Sequence, residues 1–407
     1  MKIDHIFVRF FIFFLFSLLA NNIYSYDDDI ECFDTGMCIA HPKSIVPRGV
    51  NVAGKPPEID SNEKVNCNDR HLQCKSFAND GHCVHSPGWM IVNCPKSCDA
   101  CHLREHSIRC KRERLNISSI PAIQPNQLNS YLDSLEEDLF NDYDVTYLHR
   151  DPHIIQIEDF ITKDEARKLL SNVNDEWEIP TDSGVMNEYG ETGLMPTQSR
   201  SGGTFWCMNE CFNDETVMDV TSRISNSLSL ESGNFEAFQF VKYDEGQGHT
   251  ALHDYGTQQS DLPSGPRIIT VFIFLSDFII DDDENINESS RNSGSLYFPI
   301  PNIQISPKIG RAIIWPNVLN EDPNQVDTRT IHETLPVAQG AQGSSNTINN
   351  NKNNYYNRKK HKRKGKDSSS GGSSGGSSLY GVQRWAHLYD YLIANKWGCT
   401  GSFQSLH

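Results

Sequence analysis

The sequence predicts an α+β chain in which an antiparallel β-sandwich or jelly roll, with helices along one side, follows a small cross-linked module. Three observations carry this. Apolar, β-branched and aromatic runs recur at Phe238 to Tyr243, Ile268 to Leu275, Ser295 to Phe298 and Ala312 to Trp315, separated by turn residues, as short strands require. Six cysteines, Cys67, Cys74, Cys83, Cys94, Cys98 and Cys101, crowd into 35 residues with little apolar material between them. A length of 407 residues leaves room for one sizeable core beside such a module.

In chain order, Lys2, His5 and Arg9 precede an apolar run from Phe10 to Ala20 that only Ser17 interrupts. That is about half of the roughly 20 apolar residues needed to span a bilayer, so residues 1–25 read as a signal peptide. A signal anchor is the alternative. Either delivers the remainder to the endoplasmic reticulum lumen or beyond. A linker over 26–66 leads to the module at 67–101, which is too short to build a sufficient core and is expected to rely on cross-links. Zinc competes at Cys98-x-x-Cys101, but no second Cys-x-x-Cys lies nearby and the lumen is oxidising, which favours disulfides. Of the other cysteines, Cys32 and Cys38 are expected to pair with each other or to involve Cys110. Cys207 and Cys211 are spaced for a small loop, and Cys399 is placed to tie down the end of the domain. No His or Asp pattern accompanies any of them, so thiol catalysis is not expected. Asn116-Ile117-Ser118 and Asn287-Glu288-Ser289 are glycosylation sequons usable in that compartment.

A polar linker over 102–151 is expected to lead into the large domain at 152–402. Pro152 to Ile157 reads as a strand with proline at its first position, where a missing N–H is tolerated. Thr162 followed three residues later by Glu165 marks a helix start. Residues 341–379 interrupt the domain with an Asn-rich, then basic, then Ser/Gly-rich stretch that has almost nothing to bury, expected as a disordered loop. Eight Lys or Arg against Asp367 make this stretch +7, which leaves −24 of the net −17 on the remainder. So acidic a body repels nucleic acid and excludes it as a partner.

The cysteine spacing and the closing Cys94-Pro95-Lys96-Ser97-Cys98-Asp99-Ala100-Cys101 resemble the ShK toxin-type domain. That resemblance implies the pairs Cys67 with Cys101, Cys74 with Cys94 and Cys83 with Cys98, where the residues alone leave fifteen connectivities open. Toxin members that block potassium channels use a Lys-Tyr pair, and this module has no Tyr. A structural or protein-binding accessory is the expectation.

In the large domain, Arg200-Ser201-Gly202-Gly203-Thr204-Phe205-Trp206-Cys207, Tyr243-x-x-Gly246-Gln247, Pro307-x-x-Gly310-x-Ala312-Ile313-Ile314-Trp315, His332-Glu333-Thr334-Leu335-Pro336-Val337 and Arg384-Trp385-Ala386-His387 stand in the order of the prolyl 4-hydroxylase branch of the Fe(II) and 2-oxoglutarate dioxygenases. The resemblance implies a double-stranded β-helix, with Fe(2+) held by a His-x-Asp pair and a distant His, 2-oxoglutarate clamped by a basic residue, and L-ascorbate rescuing uncoupled iron. A 2-His-1-carboxylate face leaves positions free for cosubstrate and O₂, and residues i and i+2 of a strand share one face. The His-x-Asp falls on Leu252-His253-Asp254, so its first His is a Leu. Asp254 and His332 are the expected surviving ligands. His253 joins them only if a bulge re-aims it, and His249, five residues before Asp254, is the further candidate. Counting back from Trp385 puts the clamp on Arg384, with Tyr243 bonding the same carboxylate. The implied activity is peptidyl-proline 4-hydroxylation of a proline-containing protein; the alternative is a lumenal pseudoenzyme that binds such peptides without turnover.

Overall fold

The computed structural model describes residues 30–32, 38–40, 67–139, 142–173, 177–197, 199–256, 259–279, 292–338, 342–343 and 378–401. Residues 1–25, expected as a signal peptide, the sequon at Asn287 and nearly all of the 341–379 insertion lie outside them. Inside the cysteine module three short helices, α1 (Cys74–Asn79), α2 (His82–His85) and α3 (Pro87–Asn93), are joined by disulfides Cys67–Cys101, Cys74–Cys94 and Cys83–Cys98. The Asp69 carboxylate accepts from the backbone N–H groups of Lys96 and Ser97.

Residues 102–151 are not the expected linker. They contain α4 (His106–Arg109), α5 (Arg112–Leu115), α6 (Leu128–Leu139) and the edge strand β1 (Asp144–Arg150). Leu128, Leu132, Leu135 and Leu139 recur at helical spacing and are buried in the main core, which outweighs the acidic residues between them. Cys110, expected as a possible partner of Cys32 or Cys38, is bonded to Cys399 instead. Arg109 beside it is completely buried, and its guanidinium donates to the carbonyls of Leu103, Arg104, Tyr189, Trp397 and Gly398. This region is thereby fastened to the C-terminal helix of the large domain. Gly88 of α3 completes the contact, since a Cβ there would lie 2.5 Å from the Gly398 nitrogen.

Further strands include β2 (His153–Glu158), β3 (Thr181–Met186), β4 (Thr192–Pro196), β5 (Gly203–Trp206), β6 (Gln239–Tyr243), β7 (His249–Leu252), β8 (Arg267–Phe274), β9 (Leu296–Phe298), β10 (Ile303–Ile305), β11 (Ala312–Pro316), β12 (His332–Thr334) and β13 (Leu379–His387). A seven-stranded antiparallel sheet runs β1-β2-β11-β8-β13-β6-β5, and a four-stranded one runs β10-β9-β12-β7. Alternation sorts the side chains. Val271 and Ile273 of β8 face α6, α7 (Lys163–Ser171) and α8 (Glu215–Ser227), while Phe272 and Phe274 face the smaller sheet with Ile313, Trp315, Leu296 and Phe298. The result is a jelly roll with helices on the outer face of its larger sheet.

The helix start at Thr162 is a full capping box. Thr162 Oγ1 accepts from Glu165 N at 3.1 Å and Thr162 N donates to the Glu165 carboxylate at 2.7 Å. At the outer end of β8 a charged cluster is buried: Arg267 and His387 both meet the Glu236 carboxylate, the latter at 2.7 Å.

Candidate active site

The site lies between the two sheets. Asp254, two residues beyond β7, and His332, the first residue of β12, are each about 97% buried and approach to 3.7 Å between Asp254 Oδ2 and His332 Nε2. His332 Nδ1 is 3.0 Å from the Thr330 carbonyl, to which it donates; Nε2 is the ring nitrogen on the side of Asp254 and the cavity. Thr270 Oγ1 donates to Asp254 Oδ2 at 2.8 Å and accepts from Asn317 Nδ2 at the same distance. Burial pushes the Asp254 carboxyl up, but His332, Arg267 and the Thr270 hydrogen bond outweigh it and hold the group below the usual carboxylate range. Asp254 is thus a fixed anion with one backed oxygen.

Leu252 lines the same cavity and sits directly opposite His332 in the strand pair. The pairing runs Leu252 with His332 and His249 with Thr334, four residues on β7 against three on β12. The extra residue is a bulge, and it brings His249 onto the cavity face although its spacing from Asp254 is odd. Its ring centre is 5.8 Å from that of His332 and 6.1 Å from that of Tyr243. Burial, with the like charge of His332, lowers the His249 pKa to about 3, so its imidazole is neutral.

Two of the expected site residues are elsewhere. His253 turns away: Nε2 donates to the Asp327 carbonyl at 2.8 Å and Nδ1 accepts from Tyr255 N at 2.9 Å, which leaves no lone pair for a metal. The bulge precedes Leu252, so it re-aims His249 and not His253. Arg384 lies on the other face of β13 from the cavity-lining Gln383. Its guanidinium donates to the carbonyls of Glu236 and Thr221 and stacks 4.6 Å from the Phe235 ring centre. It props α8 against the sheet and does not line the cavity. Tyr243 does line the cavity, and burial pushes its phenol up to about 12, so it stays a hydroxyl donor.

The residue that sequence reasoning missed is Arg200, the cation on the cavity wall, whose Nε is buried without a hydrogen-bond partner. Its signal was the Arg-Ser-Gly-Gly run it opens. The space enclosed by these side chains is about 20 Å³, room for about one water.

A three-ligand iron centre does not fit this arrangement. Asp254 and His332 bring two donor atoms within 3.7 Å of each other, and Leu252, which faces His332, offers none. Among the described residues, the three-ligand group with donor atoms within 4.8 Å of one another is His106, Cys110 and Cys399, which is outside this cavity and whose two sulfurs are bonded to each other.

Residues 66–101 match the ShK domain-like family model. A putative prolyl 4-hydroxylase of Acanthamoeba polyphaga mimivirus is 28% identical over 140 residues, 33% of this chain and 52% of that protein. Prolyl 4-hydroxylase subunit alpha-1 of Gallus gallus is 24% identical over 201 residues, 48% of this chain and 35% of the relative. This chain thus spans about half or less of the length of these curated relatives. The crystal structure of a viral collagen prolyl hydroxylase from Paramecium Bursaria Chlorella virus-1, in its 2OG complex, superimposes with a TM-score of 0.35 at 17% identity, covering 57% of this chain and 95% of the viral one. Residues 66–101 therefore form an ShK-type module, and the part of the chain that these relatives match is similar to prolyl 4-hydroxylases.

Proposed function

We propose that the large domain receives proline-containing segments of proteins in the secretory pathway, in the manner of a prolyl 4-hydroxylase, and that its turnover is impaired. The observation that carries this is Leu252 standing opposite His332 where a third metal donor is needed, with His253 turned outward. The peptide class comes from the prolyl 4-hydroxylase relatives. The lumenal setting is supported by five disulfides among the described residues. For an anionic ligand in the cavity, Arg200 is the available cation and Tyr243 the available hydroxyl donor.

The second reading is full activity: peptidyl-proline 4-hydroxylation with Fe(2+), O₂ and 2-oxoglutarate, supported by L-ascorbate. It is favoured by the fixed anion of Asp254 and the cavity-facing Nε2 of His332, a pairing that packing alone does not require. The deciding experiment incubates the purified protein with Fe(2+), 2-oxoglutarate, ascorbate and a proline-rich peptide, and follows succinate, peptide mass and peptide binding together. Binding without succinate is the expected result. Succinate formed in step with hydroxyproline establishes the second reading, and failure to bind any proline-rich peptide removes both.

A further inference from the structure

The β3–β4 hairpin joins two parts of the molecule that the chain separates. Its feet stand at the cavity. Pro180, just before β3, and Arg200, shortly after β4, both line it. Glu178 bridges to Thr204 on β5, and Arg200 bridges to His249 on the strand that carries Leu252. Thr250 N donates to the Ser199 carbonyl at 2.9 Å, so the returning foot is bonded directly to β7.

The tip is held by the other end of the molecule. Arg70 of the ShK-type module donates to the Glu191 carboxylate at 2.9 Å, and its guanidinium lies 4.9 Å from the Tyr189 ring centre. Arg104 lies 4.3 Å from the same ring. The His106 N–H donates to the Glu188 carbonyl, and Arg109 donates to that of Tyr189, each at 2.8 Å. Gly190 lets the tip come this close, because a Cβ there would lie 2.6 Å from His106 Cδ2. Glu191 is 11% exposed and Arg70 36%, so this ion pair is partly screened by solvent and the ring and backbone contacts share the hold on the tip.

We propose that Arg70 and the segment after the module fix the β3–β4 hairpin, and through its feet the wall of the cavity. The ShK-type module is then a determinant of what the large domain binds; that last step rests on the peptide-binding reading above. A hairpin alone is marginally stable, and this one belongs to neither main sheet. Its position is set by what grips its two ends.

The test compares the full chain with Arg70→Glu, which sets like charges against each other at the tip, and with Arg70→Lys, which keeps the charge. Amide hydrogen exchange over 181–200 reads the grip. The expected rise in Arg70→Glu is roughly threefold to tenfold, confined to the hairpin and its feet, with Arg70→Lys close to the parent. Tyr189→Ala, which removes the ring between Arg70 and Arg104, is expected to act in the same direction. An oligoproline peptide reads binding, expected to weaken at least about threefold in Arg70→Glu in step with the exchange. Unchanged exchange in both Arg70→Glu and Tyr189→Ala overturns the grip. Faster exchange with undiminished oligoproline affinity overturns the link to binding. A parent protein that binds no oligoproline refutes the proposed function instead, while the exchange data still decide whether the module holds the hairpin.

Discussion

Replacing Leu252 by His tests the reading of the metal site most directly. Leu252 faces His332 across the β7–β12 pair, already lines the cavity, and stands two residues before Asp254. Directly opposed residues on antiparallel strands have Cβ atoms about 4.5–5.5 Å apart, so an imidazole at 252 starts within reach of a common point with His332 Nε2 and Asp254 Oδ2. Loss of a group that merely orients a ligand costs about 10–100-fold in metal affinity. Supplying a whole missing ligand is therefore expected to tighten binding by at least about 100-fold. Anaerobic calorimetry with Mn(2+) or Co(2+), and with Fe(2+) under reductant, measures this on parent and variant side by side. If the parent already binds one metal tightly and Leu252→His brings no gain, the donor set is not the one argued here, and His249 becomes the ligand to remove next.

Three further outcomes follow from the packing. Arg109→Met strips the donors from four buried carbonyls and one part-buried carbonyl at once and is expected to cost about 3–5 kcal/mol, read from the midpoint of urea unfolding; a loss below about 1 kcal/mol would contradict the role given to that guanidinium. Glu236 is buried, which pushes its pKa up, but the Arg267 charge and the His387 hydrogen bond pull it down to about 2. With the unfolded value near 4.5, its contribution of about 3 kcal/mol is complete above that pH and lost as the pH falls towards 2; acid unfolding of Glu236→Gln should lack that slope, and identical slopes would sink the assignment. Gly310 has φ +86° and a Cβ there would lie 2.3 Å from the Ile161 carbonyl oxygen, so Gly310→Ala should lose about 2–4 kcal/mol in thermal unfolding.

What could be read from the sequence was whatever depends on near neighbours in the chain. Thr162 and Glu165 announce their capping box because both partners lie within one helical turn. The strands β6, β8, β9 and β11 fall within a residue or so of their apolar runs, since alternation is a property of the strand itself. The facing of His249 was not legible, because a bulge is a count of two strands against each other and the partner, β12, is some 80 residues away. Arg384 was misplaced for a related reason. The insertion before β13 destroys the forward count from His332, and the backward count from Trp385 cannot tell which face of the strand is inward. The helix Leu128–Leu139 was missed although its leucines are periodic, because acidic residues stand between them in the sequence and the stretch reads as polar by composition.

The bond between Cys110 and Cys399, 289 residues apart in sequence, encloses the whole jelly roll and the 341–379 insertion within one covalent ring. A protease that cuts after the basic residues at 358–366 opens that ring without releasing a piece. The nicked protein migrates as one species until it is reduced, and β13 with its buried Trp385 stays tethered beside the site it helps to wall. A break in that insertion is therefore a change of connectivity, not a loss of material.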